Sequence, residues 1–281
     1  MIKWQHPLHK GGFIVSDQRR NLFFYYHPSH ELDEKLTPLF QLASDNDFNV
    51  VNESKEANII IAIGGDGTFL QAVRKTGFRQ DCLYVGIRSH NEAGLYCDFD
   101  IDDHDEMIAA MKNAEVEVRR FPVIEATVNG ESTYQCLNEC SVRSTLIKSI
   151  VVDVHIDDLH FETFRGDGLV IATPTGSTAY NKSVNGAVVD PKLPCFQVSE
   201  LASLNNNRYR TLGSSFILSG ERTLKLDVRQ DGNDHPVIGM DNEAFSIRNI
   251  RDVTIKLSDD VIKTVKMKHN TYWDRVKRTF L

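Results

Sequence analysis

Residues 58–63 (NIIIAI) run directly into Gly64-Gly65-Asp66-Gly67-Thr68, and no other junction constrains the fold of this chain as tightly. An uninterrupted apolar, β-branched run of that length reads as a strand covered on both faces, the environment of a parallel sheet. Glycines after it let backbone amides approach a ligand closely, and the N-terminus of a helix predicted over 69–76 favours an anion such as phosphate. Thr68 stands where an N-cap belongs. Asp66 is the odd element, because a carboxylate repels a phosphate it touches. It makes sense facing a magnesium ion or a hydroxyl that must lose its proton. The plainer alternative is a tight strand–helix turn in which Asp66 caps the helix. Two other phosphate motifs are absent: no G-x-x-x-x-G-K-[ST] occurs, and Leu70 stands where the dinucleotide fingerprint needs its third glycine. Kinase loops of the H-R-D type are missing as well.

Around this junction the chain alternates. An aromatic strand over 21–27 precedes a helix over 31–43, with Leu32, Leu36, Leu39 and Phe40 at helical spacing, and short strands follow over 49–52 and 83–87. That order predicts a doubly wound, largely parallel α/β domain over 20–120. Residues 1–19 lack a continuous apolar core and read as a poorly ordered extension, not a signal or transit peptide. Near Pro122 the texture changes. Segments 123–128, 149–156, 223–228 and 253–257 alternate apolar and polar residues like half-exposed antiparallel strands. Turn pairs Asn129-Gly130, Asp157-Asp158, Ser219-Gly220 and Asp231-Gly232 break them. A β-rich, sandwich-like domain over 121–270 is expected, with one helical patch at 196–204. A terminal helix over 271–281 is expected to pack back on the first domain.

A chain of 281 residues fits two domains at roughly 150 residues each. With 32 basic against 39 acidic side chains, a net charge of −7 argues against a general nucleic-acid binder. The longest strong apolar run, 57–63, is far below the roughly 18–20 residues that span a bilayer, which excludes a membrane reading. Five thinly spread cysteines are an odd number, the pattern of reduced thiols in a cytoplasmic protein.

Further clusters carry possible chemistry. Arg165-Gly166-Asp167-Gly168 precedes Thr173-Pro174-Thr175-Gly176-Ser177-Thr178-Ala179-Tyr180-Asn181-Lys182-Ser183, where five hydroxyl groups between Thr173 and Tyr180 offer donors for ribose or phosphate oxygens. A solvated turn is the plainer reading. Asn138-Glu139, in a strand-like segment over 134–142, pairs an amide with a carboxylate and can read a base edge or a ribose diol; a surface strand end is the plainer reading. Cys136-x-x-x-Cys140 has no second ligand pair for zinc and reads as buried thiols on one strand face. His160-Phe161-Glu162 lacks the P-C-x-x-C of a zinc deaminase. The basic residues Lys263, Lys266, Lys268, Arg275, Lys277 and Arg278 read as a solvated face.

Taken in order, the Gly64–Thr68 loop, Asn138-Glu139, Arg165–Gly168 and TPTGSTAYNK at 173–182 resemble the NAD kinases, as do Gly186–Pro191 and Glu200-Leu201-Ala202. The resemblance runs from Arg20 to the C-terminus and is closest to the shorter bacterial members. It implies phosphoryl transfer from ATP, or from inorganic polyphosphate, to the 2′-hydroxyl of the adenosine ribose of NAD, with magnesium as cofactor. It also implies an active site between an α/β and a β-rich domain, and a homo-oligomer, dimer or tetramer. Asp66 would be the catalytic carboxylate, and Gly65 and Gly67 would contact phosphates. Asn138 and Glu139 would hold NAD at the ribose, and Arg165 and Asp167 would contact NAD, including across a subunit boundary. Thr175, Thr178, Ala179, Tyr180, Asn181, Lys182 and Ser183 would line the adenine and ribose pockets, completed by Ala202 and Asn242. One segment departs: where the family reads Asn-Thr-Gly-His-Leu-Gly-Phe, this chain has residues 88–95 with Leu95 in place of the aromatic, so weaker adenine stacking is expected. Two rivals remain at this point. A lipid kinase of the diacylglycerol or sphingosine type shares the Gly-Gly-Asp-Gly-Thr loop, and a silent NAD-binding sensor would share the pockets.

Overall fold

Alternation of side chains along the central strand organises the first part of the chain. A computed structural model describes residues 20–89, 94–113, 115–145, 147–229, 236–245 and 249–281; the extension at 1–19 and the turn at 231–232 lie outside the described residues. The elements run β1 (Asn21–Tyr26), α1 (His30–Asp45), β2 (Asn49–Val50), β3 (Ile59–Ile63), α2 (Asp66–Lys75), β4 (Leu83–Arg88), β5 (Cys97–Asp100) and α3 (His104–Lys112). Strands β2, β1, β3, β4 and β5 are parallel neighbours, with Leu22 opposite Ile59 and Ile59 opposite Leu83. Every β3 residue is buried. Ile59, Ile61 and Ile63 share a core with Leu32, Leu36 and Leu39 of α1 and with Met107 and Ala110 of α3. Each isoleucine so buried contributes roughly 1.5–3 kcal/mol. Ser29 caps α1 by accepting from the Leu32 amide at 3.3 Å. Phe69 of α2 stacks on Tyr96, ring centroids 4.9 Å apart, and meets Tyr84 edge-on.

Helix α2 starts at Asp66, three residues before the expected start, so Thr68 is not its cap. The Phe69 amide already donates to the Gly65 carbonyl. The Thr68 hydroxyl instead folds back over Gly64, where a Cβ would lie 2.4 Å from it; Gly64 has φ +150°.

The second part is a β-sandwich. Its elements are β6 (Val116–Val128), β7 (Ser132–Cys136), β8 (Glu139–Ser144), β9 (Ile150–Ile156), β10 (Leu159–Gly166), β11 (Gly168–Ala172), α4 (Tyr180–Ser183), β12 (Cys195–Leu201), β13 (Phe216–Ser219), β14 (Thr223–Arg229), β15 (Pro236–Met240), β16 (Glu243–Phe245) and β17 (Asp252–Met267). One sheet runs β10-β9-β14-β17-β6-β7 and the other β13-β12-β11-β8-β15-β16. Ile124, Val152, Phe164, Leu226 and Ile255 of the first sheet share one core with Val142, Ile171, Phe196 and Ile238 of the second. Asn129 (φ 54°) and Gly130 (φ 69°) turn β6 into β7 through two left-handed residues, the chemistry Asn-Gly favours in tight hairpins.

Three expectations change here. The helical patch at 196–204 is strand β12, bonded between β11 and β13 with its first five residues buried. An apolar run buried on both sides fits a helix or a strand equally well by sequence, and its neighbours decide. The strand at 253–257 extends to Met267, and Thr264 near its end pairs in parallel with Tyr84 of β4. The continuous strand over 134–142 breaks at Leu137 and Asn138, so Cys136 and Cys140 do not share one strand face; all five cysteines are nonetheless free and buried.

Helix α5 (Tyr272–Phe280) closes the chain. By contacts the chain divides into one unit of residues up to Phe69, Asp81–Arg119 and Thr264–Thr279, and another of Leu70–Gln80, Arg120–Lys263 and Phe280–Leu281. Residues 70–80 count with the sandwich because Arg74 reaches Asp241, Gln135 and Met240, and Gln80 pairs with Val261 and Lys263.

Candidate functional site

Asp66 stands at the first turn of α2, and both its carboxylate oxygens are held by backbone. The Leu95 amide donates to Oδ2 at 2.8 Å and the Tyr96 amide to Oδ1 at 3.0 Å. This grip needs Gly94, where a Cβ would sit 2.6 Å from Asp66 Oδ1. Burial raises the pKa of Asp66 above the ordinary aspartate range, while those two amides and the charge of Arg275 pull against the rise. A fixed carboxylate with strengthened proton affinity is suited to accept a proton from a hydroxyl. Beside it Gly64, Gly65 and Thr68 line a pocket of about 210 Å³ with His27, Ser29, Lys35 and Ser89. The N-termini of α1 and α2 both open onto this pocket, and a Cβ on Gly65 would meet nothing within 4 Å. Helix N-termini favour negative charge, so the pocket suits an anion such as phosphate. Gly67, also exposed, lies two residues after Gly65.

Segment 88–95, where the sequence departs from the family pattern, contributes through its backbone. Leu95 and Tyr96 are buried and offer their amides to Asp66; residues 90–93 lie outside the described residues. No side-chain pattern marks such a role, and Gly94 is its one trace in sequence.

In the sandwich, Asn138 and Glu139 occupy the break between β7 and β8 and are both buried. The Asp241 carboxylate makes that break: Leu137 donates to Oδ2 at 3.2 Å, and Asn138 and Glu139 donate to Oδ1 at 2.6 and 3.3 Å. Arg74 neutralises Asp241 at 2.8 Å. Glu139 Oε2 is buried without a hydrogen-bond partner. Burial first, and the Asp241 charge second, push the Glu139 pKa to about 8, against the Tyr180 amide that donates to it. Leaving a buried carboxylate oxygen unpaired costs about 1–3 kcal/mol or more, a cost a ligand hydroxyl would remove. Asp241 is absent from the sequence-derived site. Only its place at a turn marks it, with φ 54° in a conformation Asp and Asn tolerate.

The Ser/Thr-rich loop is built differently from the expectation of five outward donors. Thr173 donates to the Leu137 carbonyl, Ser177 to Pro174 and Thr178 to Thr175, so these hydroxyls brace the loop. Asn181 is fully buried, accepting from Ser199 at 2.6 Å and packing against Gly186, where a Cβ would lie 2.1 Å from its amide nitrogen. It supports the loop from beneath. The Thr175 hydroxyl alone among these is buried and unpartnered. Gly176 is required because a Cβ would lie 2.0 Å from the Asn138 carbonyl, which fastens the loop to the Asn138-Glu139 break.

Asp167, Tyr180 and Ala202 line one pocket of about 520 Å³, with Arg143, Lys148 and Leu204. Arg143 donates to the Tyr180 hydroxyl at 3.1 Å and lies over its ring. Arg165 bonds Ser149, another lining residue, and lies over the Tyr209 ring. Ala179 is half-buried before α4, whereas Lys182 and Ser183 are exposed and line none of these pockets. Asn242 is exposed in the turn that carries Asp241. Among the described residues no group of three or more His, Cys, Asp or Glu is placed to hold a metal, and no helix is long and apolar enough to cross a membrane. The basic C-terminal face is corrected at two positions: Arg275 is fully buried, paired with Asp98 at 2.8 Å, and the Lys266 side chain is largely buried, paired with Glu117 at 2.6 Å.

A parallel α/β unit joined in one chain to a β-sandwich is an architecture shared with solved structures. A yeast NADH kinase complexed with NADH superposes with TM-score 0.76 at 17% identity, over 95% of this chain and 88% of that one. An NAD kinase from Archaeoglobus fulgidus in complex with ATP gives 0.71 at 23% identity, over 92% and 98%. These likenesses define the fold. The ATP-NAD kinase C-terminal domain family matches residues 137–267. NAD kinase 2 of Bacillus subtilis is 62% identical over 95% of this chain and all of its own, and NAD kinase 2 of Oceanobacillus iheyensis 58% over 94% and 99%. The chain belongs to the NAD kinase family.

Proposed function

We propose that the chain transfers a phosphoryl group from ATP to the 2′-hydroxyl of the adenosine ribose of NAD, making NADP. The observation that carries this reading is Asp66, fixed by two backbone amides at a helix N-terminus beside a glycine-lined anion pocket. Asp66 takes the proton of the attacking hydroxyl, assistance worth on the order of 10²–10⁴ in rate. Gly65 and Gly67 bring amides to the donor's phosphates. Asn138 and Glu139 hold the ribose diol, and the unpaired Glu139 oxygen and Thr175 hydroxyl are the groups a diol would complete. Asp167, Tyr180 and Ala202, with Arg165 behind them, receive the rest of the dinucleotide. Lys182, Ser183 and Asn242 serve at its rim.

Magnesium belongs to this reading as an ion carried by the donor's phosphates, since the described residues form no protein cage for it. No step of the proton transfer is assigned to it. A homo-oligomer is supported by exposed Leu159, Phe161 and Ile217 on the outermost strands β10 and β13. Five buried free thiols support a reducing compartment such as the cytoplasm. Nothing in the relatives or the site supports the lipid-kinase or silent-sensor reading.

The test is direct. Purified protein is incubated with NAD, magnesium and ATP, and NADP is read with an NADP-specific dehydrogenase, with polyphosphate as a second donor. Saturable NAD binding without NADP from either donor would refute the reading. Asp66→Asn should lower turnover at least about a hundredfold while the NAD dissociation constant stays within a few fold. Near-normal turnover would remove Asp66 from the role.

A further inference from the structure

One carboxylate in the sandwich is divided between backbone amides and a single arginine. Asp241, its side chain 1% exposed, takes three consecutive amides, Leu137, Asn138 and Glu139, and returns its own amide to the Glu139 carbonyl at 2.9 Å. Its cation is mostly enclosed, with the Arg74 side chain 12% exposed. Arg74 also donates to the Gln135 and Met240 carbonyls and lies over the rings of Phe78 and Phe245. Backbone amides at a strand break can be satisfied by a neutral acceptor or by water. A buried ion pair carries a desolvation cost that neutral hydrogen bonding would avoid. The charge itself therefore needs a reason, and the group facing it is Glu139.

We propose that Asp241, with Arg74 as its counter-ion, is a positioning residue for Glu139. It holds the 137–139 peptide so that Glu139 faces the ligand, and it keeps a second negative charge beside that carboxylate. The inference rests on the reading that Glu139 contacts NAD. The groups facing Glu139 are Asp241 from the β15–β16 turn and the Tyr180 amide from α4. Behind Asp241 stand Arg74 of α2 and the Cys136 thiol of β7. In this arrangement the free site holds a protonated Glu139 at neutral pH, as its pKa of about 8 implies. A carboxylate accepts hydroxyl hydrogen bonds more strongly than a neutral acid, so NAD affinity rises as that proton leaves.

The experiment is calorimetric NAD binding from pH 6 to pH 9 on wild type, Glu139→Gln, Asp241→Asn, Arg74→Gln and Arg74→Lys. Wild type should show affinity rising with a midpoint near pH 8. Asp241→Asn keeps the shape and removes the charge, and should move the midpoint toward acid by about one pH unit or more. Arg74→Gln leaves Asp241 uncompensated and should move it toward alkali, with Arg74→Lys restoring it. A purely structural clasp would weaken binding at every pH without moving the midpoint, and that result overturns the proposal. If Asp241→Asn does not fold, equal midpoints in the two Arg74 variants overturn it. The underlying reading fails separately, if Glu139→Gln binds NAD as wild type does at every pH.

Discussion

Glu139 should make the free protein less stable as the solution turns alkaline, and Glu139→Gln should remove that trend. The folded pKa of about 8 lies above the ordinary value of 4.5, so the folded state holds a proton that the unfolded chain releases. The sign follows: this contribution to stability is complete below pH 4.5 and is lost as pH rises toward 8. Each pH unit in that window is worth about 1.4 kcal/mol. Between pH 6 and pH 8 the wild type should therefore lose about 2 kcal/mol from this one group. For chains of this size a kilocalorie moves Tm by about 2–4 °C, so the excess fall in Tm is roughly 4–8 °C. Thermal unfolding of ligand-free wild type and Glu139→Gln at several pH values between 6 and 8 reads the difference directly. Other titrating groups shift both curves and cancel to first order. Parallel curves would refute the burial argument for Glu139, and with it the reason for treating its open oxygen as a ligand site.

Two further outcomes are expected. Gly94→Ala puts a Cβ 2.6 Å from Asp66 Oδ1, so turnover should fall at least tenfold while Tm changes by only a few degrees; wild-type turnover would show that the 94–96 backbone does not hold Asp66 for catalysis. Arg275→Met removes one of the two arginines paired with Asp98, which burial already pushes up to about pKa 6, and leaves Arg119 as its cation; it should cost about 1.5–3 kcal/mol in denaturant unfolding, with a loss below about 0.5 kcal/mol contradicting the pairing.

Much of the candidate site could be nominated from sequence because its residues are contiguous in the chain. Gly64–Thr68, Asn138-Glu139 and 173–183 each sit on one short segment, and their chemistry can be listened for in residue type alone. What could not be read is which hydroxyl is left without a partner. Thr173, Ser177 and Thr178 look identical to Thr175 in sequence, yet the first three bond the loop's own backbone or the adjoining Leu137 carbonyl. The Leu95 and Tyr96 amides were invisible for another reason, since every residue but proline carries one.

The amino-acid sequence by itself determined the order of architectures, parallel α/β and then β-rich, because strand burial is written in local periodicity. It also set the turn chemistry, such as Asn129-Gly130, because left-handed backbone depends on the residue that adopts it. Tertiary structure decided whatever depended on distant partners. Segment 195–201 became a strand because β11 and β13 flank it, and 134–142 broke because Asp241 captures amides about a hundred residues away. Arg275, polar in any sequence reading, is buried because Asp98, 177 residues earlier, supplies the opposite charge. Local propensity acts over a few residues, whereas desolvation and charge pairing act on whatever the packed chain brings within a few ångströms.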